Sequence, residues 1–188
     1  IMDATKIEAG AVIVECDELL LPEFLDELKL LYEYPLGKDV ILRWHYGSNL
    51  PVIRTDRDKL KHILQNLINN ALKFTEVGHV TVSATHLSGL NRVELTVADT
   101  GIGIAAQDLP LVFEKFLQLD ASKTRSQGGV GLGLHIVKTF SEVLGGTVQV
   151  TSQPGEGTTF TVTLPCVYEG MGAVRTHTRS GPEGKTAP

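Results

Sequence analysis

The sequence predicts an α+β domain, on three observations. Residues 79–84 and 92–98 are consecutive strand-like runs, and residues 147–151 and 158–164 alternate apolar with polar positions about the turn Gln153-Pro154-Gly155-Glu156-Gly157. Residues 55–73 and 131–144 instead repeat their apolar side chains at helical spacing. Strands in neighbouring pairs with amphipathic helices between the pairs are the α+β pattern.

The elements follow in order. Residues 3–10 read as the last turns of a helix that began before Ile1, ended by Gly10. Val12, Val14 and Cys16 alternate, predicting a short strand over 11–16. Leu20, Leu21, Phe24, Leu25, Leu28 and Leu31, with Pro22 in an early turn, predict a helix over 19–33. Residues 40–44 read as a strand, and Asn49-Leu50-Pro51 as a turn leading into Val52 and Ile53.

Thr55-x-x-Asp58 then has capping-box form with Asp in place of Glu, a start signal worth about 1 kcal/mol. Leu60, Ile63, Leu64, Leu67, Ile68, Ala71 and Leu72 make an unbroken apolar stripe behind it. The other side carries His62, Asn66, Asn69, Asn70 and Lys73. Asparagine is a poor helix former that competes for its own backbone, so three in one helix interior point to a task beyond solubility. The amide oxygen of Asn70 suits magnesium, and Lys73, one turn on, suits a phosphate.

Residues 105–116 read as a helix with Asp108 near its start, and with Phe113 and Phe116 packed beneath the segment that follows. In the helix over 131–144, Leu134, Val137, Phe140 and Leu144 face inward, and Gly145-Gly146 ends it. Residues 170–188, rich in Gly, Ser, Thr, Pro and charge, read as a disordered tail or linker. The expected divisions are 1–10, a helix end; 11–165, a folded domain; and 166–188, a tail. No internal repeat is present.

The stretch 99–134 organises the chain. It opens with Asp99-Thr100-Gly101-Ile102-Gly103-Ile104, closes with Gly128-Gly129-Val130-Gly131-Leu132-Gly133-Leu134, and holds the polar segment 118–127 with Lys123 and Arg125 between. Two glycine-rich turns around a basic segment suggest a nucleotide pocket with a lid, because glycine lets backbone N–H groups approach phosphates. Val93, Leu95 and Val97 alternate inward, and Asp99 continues that phase. A carboxylate aimed at the buried side of a sheet is costly unless something donates hydrogen bonds to it. An adenine amino group, or a water beside it, is such a donor. The glycine-rich start of the 131–144 helix is where exposed N–H groups favour phosphate.

At 188 residues, 42% hydrophobic and 21% charged, the chain suits one soluble domain able to bury roughly 70% of its unfolded surface. No apolar run reaches the roughly 20 residues of a membrane span. A net charge of -5 argues against broad nucleic-acid or anionic-membrane binding. Cys16 and Cys166 lie outside any metal spacing and read as small apolar residues of a reducing compartment. With no signal peptide after Ile1, the chain reads as an excised piece of a longer protein.

Five motifs in order carry a resemblance. Asn66-Leu67-Ile68-Asn69-Asn70-Ala71-Leu72-Lys73-Phe74-Thr75 resembles the asparagine box, 99–103 the first glycine box, Phe113-Glu114-Lys115-Phe116 the phenylalanine box, 129–133 the second glycine box, and Gly155-Glu156-Gly157-Thr158-Thr159-Phe160 the last glycine box, of the sensor histidine kinase ATP-binding catalytic domain. That domain shares its superfamily with gyrase, MutL and heat-shock chaperone ATPases. The resemblance covers residues 55–164, with a weaker echo at 3–10. It implies a Bergerat-type α/β sandwich: helices on one face of a mixed, mostly antiparallel sheet, with ATP between helices and lid.

The resemblance also implies roles. Asp99 would receive the adenine amino group, and Gly101 and Gly103 would allow close approach near the base. Asn70 would bind magnesium, and Asn66 and Lys73 would contact phosphates or their shell. Gly129, Gly131, Leu132 and Gly133 would wrap the phosphates, with Lys115, Lys123 and Arg125 as candidates for the γ-phosphate. Asn66, Lys73 and Arg125 would then serve transfer itself. Lys123 and Arg125 read equally as solvated charge, His62 as exposed, and His135 as structural.

Two departures narrow the activity. The ATPases of the superfamily carry a glutamate four residues before the magnesium asparagine; here Asn66 stands there, and an amide takes no proton at neutral pH. That favours phosphoryl transfer over hydrolysis. None of His45, His62, His79, His86, His135 or His177 has the H-E-x-x-x-P context of the family's acceptor. The acceptor is therefore expected upstream, on a dimerising hairpin, with a response-regulator receiver domain as the next partner. The expectation is a cytoplasmic kinase domain, monomeric as a fragment and dimeric in its parent, without nucleic-acid or membrane contact. The alternatives are an ATP-hydrolysing relative and a non-catalytic nucleotide-binding module.

Overall fold

Residues 13–33, 39–115 and 131–169 are described by the computed structural model. In chain order the elements are β1 (Asp17–Leu20), α1 (Leu21–Leu30), β2 (Asp39–His45), β3 (Val52–Thr55), α2 (Arg57–Phe74), β4 (Val77–Leu87), β5 (Arg92–Asp99), α3 (Gly133–Val143), β6 (Thr147–Gln153) and β7 (Gly157–Pro165). Five strands form one sheet in the order β2-β4-β5-β7-β6, parallel at β2·β4 and antiparallel elsewhere. It is the mixed, mostly antiparallel sheet the sequence implies.

Alternation decides which face is covered. Val80 and Val82 of β4, Val93, Leu95 and Val97 of β5, and Phe160, Val162 and Leu164 of β7 point to one side and are buried. Against that face lie α2 and α3, and Leu60, Ile63, Leu64, Leu67 and Ile68 of α2 are wholly buried. Each such side chain contributes roughly 1.5–3 kcal/mol of transfer free energy, so the apolar stripe of α2 is the spine of the core. The opposite face of the sheet is polar, with Thr81, Ser83, Thr96, Thr161 and Thr163 among its residues.

A second, smaller ladder pairs β1 antiparallel with β3, from Asp17 against Thr55 to Leu20 against Val52. The other edge of β3 takes the chain after β7: Arg54 N–H donates to the Cys166 carbonyl at 2.7 Å, and Tyr168 N–H to the Arg54 carbonyl at 2.9 Å. Among the described residues no helix is long and apolar enough to cross a membrane.

Four local expectations change. Residues 13–16 are not a strand; pairing begins at Asp17, where β3 supplies a partner. The expected 19–33 helix starts at Leu21 because Leu19 and Leu20 are taken up in the β1 ladder, and it ends at Leu30. The cap of α2 is Asp56 rather than Thr55: Asp56 accepts from Lys59 N–H at 3.0 Å, while Thr55 closes β3. The helix expected over 105–116 is, as far as Lys115, a series of turns with one 3₁₀ turn at Leu109–Leu111. Pro110 fits the first positions of that short 3₁₀ turn but, donating no N–H, does not suit the interior of a helix running through it from residue 105. The expectations for 1–10, 118–127 and 170–188 fall outside the described residues.

Candidate nucleotide-binding site

Asp99 ends β5 two residues after the buried Val97, opposite Val80 of β4 and Thr158 of β7. Its Oδ1 accepts the Gly101 N–H at 2.8 Å and the Thr158 N–H at 3.3 Å. Burial pushes its carboxyl above the usual carboxylate range, and these two N–H donors pull back against that shift. Both bonds among the described residues fall on Oδ1, so Oδ2 keeps its acceptor capacity for a ligand donor. The Thr100 N–H and hydroxyl both reach the His79 carbonyl, at 3.1 and 3.3 Å, tying the turn after Asp99 to β4.

The glycines after Asp99 serve the chain itself. A Cβ on Gly101 would collide with the Phe74 carbonyl at the end of α2, and one on Gly103, at φ +69°, with the Gln153 carbonyl at the end of β6. Both glycines let the backbone approach α2 and β6, which locks the Asp99 turn in place. Gly157, at φ +117°, admits the Asp99 carbonyl on the other side. The last glycine box is thus a turn that buttresses the carboxylate.

The phosphate candidates meet at the α2–α3 seam. Asn66 donates from Nδ2 to the His62 carbonyl at 2.8 Å, which fixes its amide with Oδ1 toward α3. A Cβ on Gly133 would lie 2.8 Å from that oxygen, with Asn70 Nδ2 at 3.9 Å, so the first residue of α3 rests in a cradle formed by the two asparagines. Gly131 takes φ +70°, and Leu132 occupies the N-cap position without a side-chain cap bond. The first turn of α3 therefore offers N–H groups that no side-chain cap satisfies among the described residues. Phe74, beside the Asp99 turn, is eight residues from Asn66, or about 12 Å at 1.5 Å per residue, a span that suits a nucleotide from base to phosphates.

The remaining candidates separate. Asn69 belongs elsewhere: its Oδ1 accepts the Tyr32 hydroxyl at 3.1 Å, and burial pushes that phenol up to about 12, so it stays a donor. Lys73 is half-buried with its Nζ 5.1 Å from the Phe74 ring centre, and Lys115 is exposed at the end of the 3₁₀ segment. Phe113 packs edge-on against Phe160, with ring centres 6.2 Å apart. Lys123, Arg125 and Gly129 lie outside the described residues. Sequence reasoning missed the structural partners of the site: the Phe74 carbonyl, Thr158, and the contact of His135 with Phe113. The first two act through backbone atoms, which leave no mark in side-chain patterns.

Residues 55–167 match the family described as histidine kinase-, DNA gyrase B-, and HSP90-like ATPase. The chain is 38% identical over 170 residues to the autoinducer 2 sensor kinase/phosphatase LuxQ of Vibrio cholerae, covering 88% of this chain and 20% of that protein. It is also 38% identical over 168 residues to the circadian input-output histidine kinase CikA of Synechococcus elongatus, covering 88% of this chain and 22% of that one. This chain thus spans about a fifth of the curated relatives named here. Among solved structures, full-length ShkA in complex with AMPPNP superposes with a TM-score of 0.73 at 35% identity, over 82% of this chain and 32% of that one. The nucleotide-free catalytic domain of ThkA shares the fold at a TM-score of 0.71 and 24% identity, over 82% of this chain and 98% of that one. With its motifs, sheet order and asparagine cradle accounted for, the chain belongs to the histidine kinase-, DNA gyrase B-, and HSP90-like ATPase family.

Proposed function

We propose that this domain holds magnesium ATP between Asp99 and the α2–α3 seam and hands the γ-phosphate to a histidine outside the chain. The observation that carries the reading is Asn66. Its side chain is committed to the His62 carbonyl and to the cradle of Gly133, and an amide there has no proton-accepting function for activating water. What remains for the protein is alignment and charge neutralisation, the larger part of phosphoryl transfer.

Asp99 would select adenine through its amino group. The uncapped first turn of α3 would take phosphate oxygens on its N–H groups, with Lys73 supplying positive charge from α2. No group of three or more His, Cys, Asp or Glu able to hold a metal ion occurs among the described residues. The amide cradle still fits magnesium, which takes few protein ligands and completes its shell with phosphate oxygens and water. Asn70 would be that ligand, and the bound ion would neutralise charge on the phosphates. Lys115, Lys123 and Arg125 stand as γ-phosphate candidates. The acceptor would lie on an upstream dimerising hairpin, the phosphate would pass on to a receiver domain, and the domain itself would be cytoplasmic and monomeric.

The test is to mix the purified domain with the hairpin domain of its own parent protein and ATP labelled at the γ-phosphate. The expected result is acid-labile label on the hairpin, with transfer lost in Asn70→Ala and little free phosphate from the domain alone. Steady phosphate release from pure protein, abolished by Asn70→Ala, would make it an ATPase instead. Tight ATP binding without transfer would make it a binding module.

A further inference from the structure

His135 sits in the first turns of α3, half-buried, two residues after Gly133. Its Nδ1 lies 3.2 Å from the Phe113 carbonyl oxygen, and its Nε2 lies 3.5 Å from the Thr139 hydroxyl one turn along the same helix. A carbonyl oxygen only accepts, so Nδ1 carries the hydrogen in this contact, and Nε2 is left to pair with the Thr139 hydroxyl. Both ring nitrogens are used, and the ring joins two parts of the chain 22 residues apart in sequence. Phe113 is held a second time, by the edge of its ring against Phe160 of β7. The 109–115 arm, with Lys115 two residues after Phe113, is thus pinned at its backbone to α3 and at its side chain to the sheet.

We propose that His135 is a positioning residue for the terminal phosphate: it sets the 109–115 arm, and with it Lys115, against the N-terminal turn of α3. The inference rests on the nucleotide reading of that turn. The two walls of the phosphate end come from different segments, namely the start of α3 with its asparagine cradle and the 109–115 arm with Lys115. The His135 ring links the two through the Phe113 carbonyl. A base or a ribose bound beside Asp99 would not sense the separation of those walls, whereas the last phosphate of a triphosphate would.

The experiment is calorimetric titration of wild type, His135→Ala and His135→Asn with magnesium ATP and magnesium ADP, at matched fractions folded. The Asn amide places a donor where Nδ1 stood. Removing one hydrogen bond should weaken ATP binding by about two- to tenfold in His135→Ala, change ADP binding less than twofold, and be restored in His135→Asn. Equal weakening of ATP and ADP without rescue by Asn would mean that His135 only packs, and unchanged affinities would mean that the arm does not need it. Either result overturns the proposal. Should wild type fail to bind ATP at all, the nucleotide reading itself falls, which separates the two failures. If His135→Ala does not fold, the ring tautomer in wild type decides by nitrogen-15 shifts: hydrogen on Nδ1 supports the pin, and hydrogen on Nε2 overturns it.

Discussion

Two aspartates of this chain begin alike and end differently. Asp56 follows β3 and Asp99 ends β5, and each accepts a backbone N–H from the chain just beyond, Lys59 at 3.0 Å and Gly101 at 2.8 Å. Asp56 is then closed by the fold: its Oδ2 takes the Glu15 N–H at 3.0 Å and the Lys59 ammonium at 2.6 Å, while Lys59 also reaches the Ile13 carbonyl at 2.7 Å. Asp99 receives two backbone N–H groups on one oxygen, and burial leaves its carboxyl raised. The difference teaches where stability and function divide. A carboxylate whose two oxygens are both occupied by its own chain is structural, and one that keeps an oxygen without a partner among the described residues is held ready for a ligand.

The comparison breaks most readily at Asp56. Asp56→Ala removes a helix cap and leaves Lys59, whose side chain is 14% exposed, without its carboxylate. Chemical unfolding should show a loss of about 3 kcal/mol, with ATP affinity of the folded fraction unchanged. A loss under about 0.5 kcal/mol would remove the distinction.

At Asp99 the expected signs are opposite. Asp99→Ala should weaken ATP binding by the worth of a charge-assisted hydrogen bond, about ten- to 150-fold. Asp99→Asn should at the same time stabilise the free protein at neutral pH. The folded carboxyl is raised, so its contribution to stability is present below the unfolded value of about 3.9 and is lost as pH rises through the folded value. The gain from Asn should therefore be near zero at pH 3 and grow toward neutrality in thermal unfolding. A gain that does not vary with pH would contradict the raised pKa.

The smallest effect comes from a polar group that neither structure nor ligand claims. Ser141 Oγ is the one buried side-chain polar atom without a partner among the described residues. Ser141→Ala should raise stability by up to about 1 kcal/mol in urea unfolding, leaving nucleotide affinity alone, and a clear loss would reveal a hidden partner.

What the sequence disclosed depends on how each feature is encoded. The strand that carries Asp99 was legible because alternation extends without a break from Val93 to the aspartate. Helix α2 was legible because five wholly buried apolar residues keep one phase. Its cap was misplaced by one residue because Thr55 and Asp56 are both good caps, and only the β3 pairing of Thr55 chooses between them. The helix read over 105–116 gave no weight to Pro110, and as far as Lys115 the chain forms one 3₁₀ turn there, with that proline in its first positions. The asparagine row was read as one group but is divided by a tyrosine from a distant segment: Tyr32 claims Asn69, while Asn66 and Asn70 face Gly133. The glycines were found but their partners were not, since the Phe74 and Gln153 carbonyls that exclude a Cβ are backbone atoms of remote segments.

The central claim, that the free oxygen of Asp99 reads an amino group on the base, is tested most directly by titrating the wild-type domain with ATP and with inosine triphosphate. The two nucleotides differ at one exocyclic position, an amino donor in one and a carbonyl acceptor in the other. The account predicts that the inosine nucleotide binds about ten- to 150-fold more weakly, and that the gap narrows in Asp99→Asn. Equal affinity of the wild-type domain for both would contradict it.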